Sequence, residues 1–175
     1  MTGTLRLVLA LLLMLIATSG CQHAAKPAAA APTTAPAAKE QEELKKTLYD
    51  RIGGEATIVA VVDDLIARAM ADRAVNFSRS GTPHAWQPTP QNVALLKTRL
   101  IQFLGTATGG PQQYEGEDLR TGHRGMRITG AEFDAFVRDV GVSLQQVGVK
   151  EKERKEVLEI VQSAKGSIVE RAPTH

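Results

Sequence analysis

The sequence predicts an all-α fold. In each long segment after residue 40, apolar residues recur at three- and four-residue steps, and no alternating pattern typical of strands competes with them. Helix start and stop signals, mainly Thr–Pro and Gly–Gly pairs, separate these segments. A length of 175 residues suits one domain, and the roughly 130 residues after the N-terminal region suffice for one sizeable core.

Residues 1–20 are typical of a signal peptide. Arg6 precedes an unbroken apolar run, residues 7–17, which is shorter than the about 20 residues that a bilayer span needs. Small residues then lead to Cys21, the single cysteine of the chain. This arrangement resembles the lipobox of bacterial lipoproteins, although Thr18 stands where that pattern prefers Leu. We expect an exported protein, anchored in membrane lipid through a lipidated Cys21 and facing the periplasm or cell exterior. A plain cleaved signal and an uncleaved anchor are the alternatives.

Residues 21–40 predict a flexible tether. Alanine, proline and threonine dominate them, so the segment has too little to bury to offset its ordering entropy. The folded domain is predicted over residues 41–171. The formal net charge of +2, with acidic and basic residues interspersed, gives no indication of a nucleic-acid partner. The mixed run 150–155 (KEKERK) is typical of a solvated helix face.

The first half of the domain predicts one short and two long helices. The short helix ends at the Gly–Gly pair 53–54, and a regular apolar repeat then predicts a helix over 55–72. Glycine and proline make residues 73–90 irregular. The Thr–Pro pair 89–90 fits a cap with proline in the first turn of a helix that runs to about residue 106.

The second half predicts two more long helices. Residues 107–128 are glycine-rich and poorly periodic apart from a short helical turn near His123, and a loop of that size inside a domain usually has a function. Thr129 and Glu132 match a capping box at the start of a helix that stops at Gly148. Apolar positions 157, 160, 161, 164 and 168 mark one last helix.

His123, which lies between Gly122 and Gly125, is the residue that most needs a chemical explanation. Cys-x-x-Cys, His-Glu-x-x-His, the nucleophile elbow and the phosphate loop are all missing from the sequence. What remains is one histidine with flexible flanks and apolar helix faces. A haem needs that combination, because one neutral imidazole holds the iron while apolar side chains cover the porphyrin. From these residues alone, a buried structural histidine or an exposed one is the more common alternative.

Four motifs in order resemble the truncated haemoglobins, group I in particular. They are residues 48–54 (LYDRIGG), 71–72 (AD), 109–116 (GGPQQYEG) and 123–129 (HRGMRIT). The resemblance covers about residues 48–168. It implies a truncated globin fold, a two-over-two helical sandwich, with haem b as cofactor. Attachment would be non-covalent, since no Cys-x-x-Cys-His is present. His123 then corresponds to the proximal iron ligand.

The resemblance also implies a set of haem contacts. Phe77 corresponds to a phenylalanine wedged against the haem, although the usual Phe–Phe pair is here Phe77–Ser78. Arg99 and Tyr114 correspond to residues that reach the haem propionates. The residues placed on the distal wall are Ile66, Leu96, Leu100, Phe103 and Leu104.

Two departures from the family pattern bear on the bound gas. Ile66 and Leu100 stand where the family carries a distal tyrosine and a distal glutamine, so both groups that would hydrogen-bond to bound oxygen are replaced. The segment 73–90 is also longer than usual and holds His84 and Trp86. His84 is an alternative sixth iron ligand, although a loop histidine next to proline is more often solvated.

The expected function is therefore reversible binding of a diatomic gas (O2, NO or CO) at iron held by His123. An unidentified reductase is expected as a partner. One alternative is a haem enzyme that detoxifies nitric oxide or acts as a weak peroxidase. Another is a globin-fold lipoprotein that has lost haem. Gas binding is preferred to enzyme activity, because nitric oxide dioxygenation requires a stable oxygenated form.

Overall fold

The computed structural model describes residues 45–170, which are helical and contain no strand. The prediction of an all-α fold is confirmed. The helices are α1 (Leu48–Ile52), α2 (Gly54–Ala71), α3 (Pro90–Ala107), α4 (Leu119–His123), α5 (Gly130–Gln146), α6 (Glu151–Ser163) and α7 (Lys165–Ile168). Within this range no helix has both the length and the apolar character to cross a membrane. The predicted signal peptide, the tether and Cys21 lie outside the described residues.

The helix starts follow the local chemistry of the sequence. The Thr89 hydroxyl accepts a hydrogen bond from the backbone N–H of Asn92, which caps α3. At α5, the Thr129 hydroxyl accepts from the Glu132 N–H, and the Glu132 carboxylate accepts from the Thr129 N–H at 2.7 Å. The predicted capping box is therefore confirmed. Gly53 joins α1 to α2 with φ of 102°, a left-handed conformation that favours glycine.

Helix α2 lies at the centre of the fold, where it packs against both α3 and α5. Its buried face supplies five of the eleven buried residues of the main core. Each fully buried aliphatic side chain contributes about 1.5–3 kcal/mol. The buried members of this core are Ile58, Val61, Val62, Leu65, Ile66, Leu104, Val140, Leu144, Val149, Val157 and Val161. The three- and four-residue repeat of the sequence thus corresponds to a real buried face.

Helix α1 is held to α6 by a largely buried ion pair. The Arg51 guanidinium donates to Glu153 Oε1 at 3.0 Å and to both carboxylate oxygens of Glu156. The Arg51 and Glu153 side chains are 10% and 11% exposed, respectively. These hydrogen bonds raise the pKa of Arg51 and lower that of Glu156. The prediction that residues 150–155 form a solvated face is therefore wrong for Glu153, because Arg51 of α1 pairs with it and covers it.

The last helix of the sequence prediction is two helices in the structure. Helix α6 ends at Ser163, and α7 begins at Lys165. At the break the backbone N–H groups of Ala164 and Ser167 bond three residues back, to Val161 and Ala164. The Ser163 hydroxyl also donates to the Ile160 carbonyl at 2.6 Å, which takes up an acceptor of the last turn of α6. Apolar spacing alone did not reveal this break.

A buried carboxylate lies where α5 meets α2. Asp139 is 8% exposed, and its Oδ2 has no hydrogen-bond partner among the described residues. Next to it, Arg68 donates to Asp64 at 2.9 Å and to the Ser143 hydroxyl at 3.4 Å. Burial and the nearby Asp72 carboxylate raise the pKa of Asp139. Asp139 therefore departs from the exposed position that a carboxylate usually takes.

Candidate functional site

His123 is the last residue of α4, a five-residue helix whose first turn is capped by Asp118. The Asp118 carboxylate accepts hydrogen bonds from the backbone N–H groups of Arg120 and Thr121, both at 3.1 Å. Hydrogen bonds from Thr121 lower the pKa of Asp118. The sequence Asp-Leu-Arg-Thr-Gly-His therefore builds its own single turn of helix, which fixes the backbone that carries the imidazole.

The His123 ring is oriented by its own helix. Its Nδ1 lies 2.7 Å from the carbonyl oxygen of Leu119, and because a carbonyl only accepts, Nδ1 carries the proton and donates. In the neutral imidazole this bond selects the tautomer whose Nε2 is the acceptor nitrogen, and Nε2 forms no hydrogen bond within residues 45–170. A neutral imidazole with one nitrogen donating to a carbonyl and the other free has the arrangement of a metal-ligating histidine.

The predicted distal side chains lie on α2 and α3. Ile66 is 6% exposed and belongs to the main core, as does Leu104 at 5%. Leu96, Leu100 and Phe103 pack against that core but remain partly exposed. Helix α3 has 18 residues and buries only Leu104 and Gly105, so most of its apolar face is only half covered.

The two predicted propionate contacts, Arg99 and Tyr114, are brought together at one edge of α3. Arg99 donates to Gln102 at 2.9 Å and lies 3.6 Å from the Glu115 carboxylate. The Tyr114 ring meets the Phe103 ring edge-on, with centroids 6.1 Å apart. The pair of Arg99 with Glu115 is solvent-exposed and so contributes at most about 1 kcal/mol, which leaves Arg99 free to exchange partners at little cost.

Phe77 lies in the irregular segment 73–90, as predicted. It packs against a second buried cluster formed by Ala69, Val75 and Ala135. Its ring meets that of Trp86 edge-on, with centroids 5.5 Å apart. Phe136 packs against both this cluster and the main core, and so connects the surroundings of Phe77 to those of α3.

The segment 73–90 is tied to the rest of the domain by Arg79, a contact that sequence reasoning missed. Arg79 is 7% exposed and donates to Glu132 at 3.1 Å, at the start of α5. Burial raises the pKa of Glu132, but bonds from Thr129 and Arg79 outweigh it, so the pKa is lowered overall. The segment is irregular as predicted, yet its position is fixed by this ion pair.

His84 lies beside the turn that follows His123. A Cβ placed on Gly125 would come within 2.5 Å of His84 Nε2, so the imidazole rests against the glycine backbone. Gly125 also has φ of 81°. His84 is exposed and makes no ring hydrogen bond within the described part of the chain.

Comparison with known proteins decides the family. The family model for bacterial-like globins matches residues 47–170. A group 1 truncated haemoglobin of Nostoc sp. (strain MUN 8820) is 33% identical over 125 residues, which are 71% of this chain and 98% of that protein. The chain belongs to the truncated haemoglobin family. A group 1 truncated haemoglobin of Tetrahymena pyriformis is 26% identical over 117 residues, 67% of this chain and 89% of that protein.

Solved structures support the same family by shape. The haemoglobin of Chloroflexus aurantiacus aligns with a TM-score of 0.60 at 28% identity, over 73% of this truncated haemoglobin and 100% of that chain. The Fe(III) form of the Tetrahymena pyriformis protein aligns with a TM-score of 0.62 at 22% identity, over 72% and 100%, respectively. The two-over-two globin fold implied by the motifs is confirmed.

Haem is the cofactor of this family, and the residues of this truncated haemoglobin fit it. Two observations carry the fit: Nε2 of His123 is available as an axial donor, and the apolar face of α3 is left half covered. Among the described residues no group of three metal-ligating side chains competes with His123.

Proposed function

We propose that this truncated haemoglobin binds haem b through Nε2 of His123 and reversibly binds a diatomic gas. The observation that supports this proposal is the 2.7 Å bond from the His123 ring to the Leu119 carbonyl, which orients the ring and leaves Nε2 without a hydrogen-bond partner among the described residues. Haem iron, when bound, supplies the coordination position at which O2, NO or CO binds. His123 would contribute a nitrogen ligand, and the half-covered apolar face of α3 a surface that disfavours water.

Ile66 and Leu100 favour gas binding over turnover of the gas. Both side chains are aliphatic and offer no hydrogen-bond donor. A buried Ile66 and a half-buried Leu100 therefore cannot stabilise the partial negative charge of bound oxygen. Nitric oxide dioxygenation requires a long-lived oxygenated form, so binding or sensing of the gas is the better-supported function. A reductase that keeps the iron ferrous remains part of the proposal.

The location at a membrane surface is proposed from the sequence alone. The apolar run 7–17 and Cys21 support export followed by lipidation, and the Ala/Pro-rich residues 21–40 would hold the globin domain away from the bilayer.

The replacement His123→Ala tests the iron ligand. We expect loss of the histidine–iron bond and of most of the haem affinity. His84→Ala is the matched control, because His84 is the other histidine in residues 45–170. Absorption spectra of the ferrous proteins give the readout. An unchanged spectrum in His123→Ala would refute the assignment, whereas a changed spectrum only in His84→Ala would transfer the role to that residue.

A further inference from the structure

The last residues that the structure describes are hydrogen-bonded to the loop that follows His123. One carboxylate oxygen of Glu170 accepts a hydrogen bond from the Gly125 N–H, and the other accepts from the Arg127 N–H at 3.0 Å. The Glu170 N–H in turn donates to the Ile128 carbonyl at 3.0 Å. Arg120 adds a bond from its guanidinium to the Gly166 carbonyl at 3.2 Å. Both carboxylate oxygens and the backbone N–H of Glu170 are thus hydrogen-bonded to one short loop.

The loop conformation is what lets both amides reach one carboxylate. Gly125 and Arg127 both have positive φ, 81° and 53°, which turns their N–H groups in the manner of an anion-binding nest. Arg127 is not glycine, so its left-handed conformation is strained. The strain persists because the charge-assisted bond from the Arg127 N–H to Glu170 stabilises that conformation.

The held loop includes the backbone of His123. The Met126 N–H donates to the His123 carbonyl at 3.2 Å, which closes a turn from 123 to 126. Glu170 holds this turn at Gly125, inside it, and at Arg127, immediately after it. The His84 ring also rests against Gly125. A shift of the turn would therefore move the Cα of His123 and change the direction of its ring.

We propose that Glu170 is a positioning residue for His123, which fixes the angle at which the imidazole meets the iron. The inference rests on the proposed function of His123. It extends that function by making the iron–histidine bond depend on a carboxylate that lies 45 residues further along the chain from Gly125. The competing explanation is that Glu170 only secures the C-terminal segment.

The test compares Glu170→Gln and Glu170→Asp with Glu159→Gln. Glu159 is exposed on α6 and has no hydrogen bond or ion pair in the described structure, so it controls for the loss of a charge. The first readout is amide hydrogen exchange in the haem-free protein. Since a charge-assisted hydrogen bond is lost, exchange at Gly125 or Arg127 should become about tenfold to a hundredfold faster in Glu170→Gln. It should remain unchanged in Glu159→Gln.

The second readout is the iron–histidine stretching band of the ferrous, haem-loaded protein. We expect the band to shift or broaden in Glu170→Gln, to return toward its original position in Glu170→Asp, and to stay fixed in Glu159→Gln. Faster amide exchange with an unmoved band would overturn the positioning role and leave only the structural one. Unchanged exchange would overturn the claim that Glu170 holds this loop. A wild type that takes up no haem would instead overturn the proposed function. The exchange data would still show whether Glu170 holds the loop.

Discussion

Replacing Asp139 with Asn should make the fold more stable at neutral pH. The Asp139 side chain is buried, and its Oδ2 has no partner within residues 45–170. Burial and Asp72 raise its pKa, only partly offset by Arg68 and Arg138. The folded state therefore binds this proton more tightly than the unfolded state does. Ionisation of Asp139 costs stability as the pH rises above the ordinary value of about 3.9.

The size of the gain follows from what the amide removes. The amide removes the buried charge but keeps a polar oxygen, so the gain is only part of the about 1–3 kcal/mol that an unpartnered buried polar group costs. Arg68 reduces that cost further, so we take the low end, about 1 kcal/mol. For a domain of this size the melting temperature should rise by about 3–5 °C at pH 7. The gain should shrink as the pH falls through the raised pKa of Asp139, and vanish below the ordinary pKa, where the carboxyl is neutral in the folded and the unfolded state alike.

Asp64→Asn provides a matched comparison of opposite sign. Hydrogen bonds from Ser143 and Arg68 lower the pKa of Asp64, so its ionised form stabilises the fold. Its stability contribution is present above the ordinary pKa and is lost as the pH falls through the lowered value. Asp64→Asn should therefore lower the melting temperature at pH 7, with the loss fading in acid.

Thermal denaturation of both variants between pH 4 and pH 7 gives the measurement. A lower melting temperature for Asp139→Asn at pH 7 would refute the reasoning. So would a gain for Asp139→Asn that does not change with pH.

Two further predictions concern gas release and location. Ile66→Tyr with Leu100→Gln should slow oxygen release by about tenfold, the effect of a hydrogen bond of about 1–2 kcal/mol. Stopped-flow kinetics measure this, and Leu95→Gln, at a 56% exposed position on the same helix, is the control. No slowing, or an already slow wild type, would mean that another polar group reaches the bound gas. Cys21→Ser should move the protein from the membrane fraction to the soluble fraction, because the tether offers no other anchor. Equal partitioning of both proteins after signal cleavage would rule out the lipid anchor.

Interactions between residues close together in the chain could be predicted from the sequence. The capping box of Thr129 and Glu132 and the Thr89 cap involve residues three apart, and the motif near His123 encodes its own helical turn. The apolar repeat of α2 predicted its buried face for the same reason. Each of these depends on spacing along one segment, which a reader of the sequence can count.

Contacts between distant segments were not predictable. Glu170 bonds to Gly125 and Arg127 across 45 and 43 residues, and nothing near Glu170 marks it as more than one acidic residue among many. Asp139 resembles any other polar position of an amphipathic helix until α2 covers it. The roles of Phe77, Arg99 and Tyr114 toward haem remain predictions, because they came from family resemblance.

The bond between Arg51 and α6 belongs to a late stage in the assembly of the domain. Its partners are 102 and 105 residues away, so nearly the whole domain must be present before Arg51 finds a carboxylate. Closing so large a loop is slow, because its entropy is lost before the contact forms. Helix α1 therefore gains this anchor only after α6 has joined the domain, later than the bonds that join Tyr49 to Thr108 and Gln112 can form. A chain arrested before residue 153 should therefore hold α1 less firmly than the finished domain does, and be cut more readily by proteases near Arg51.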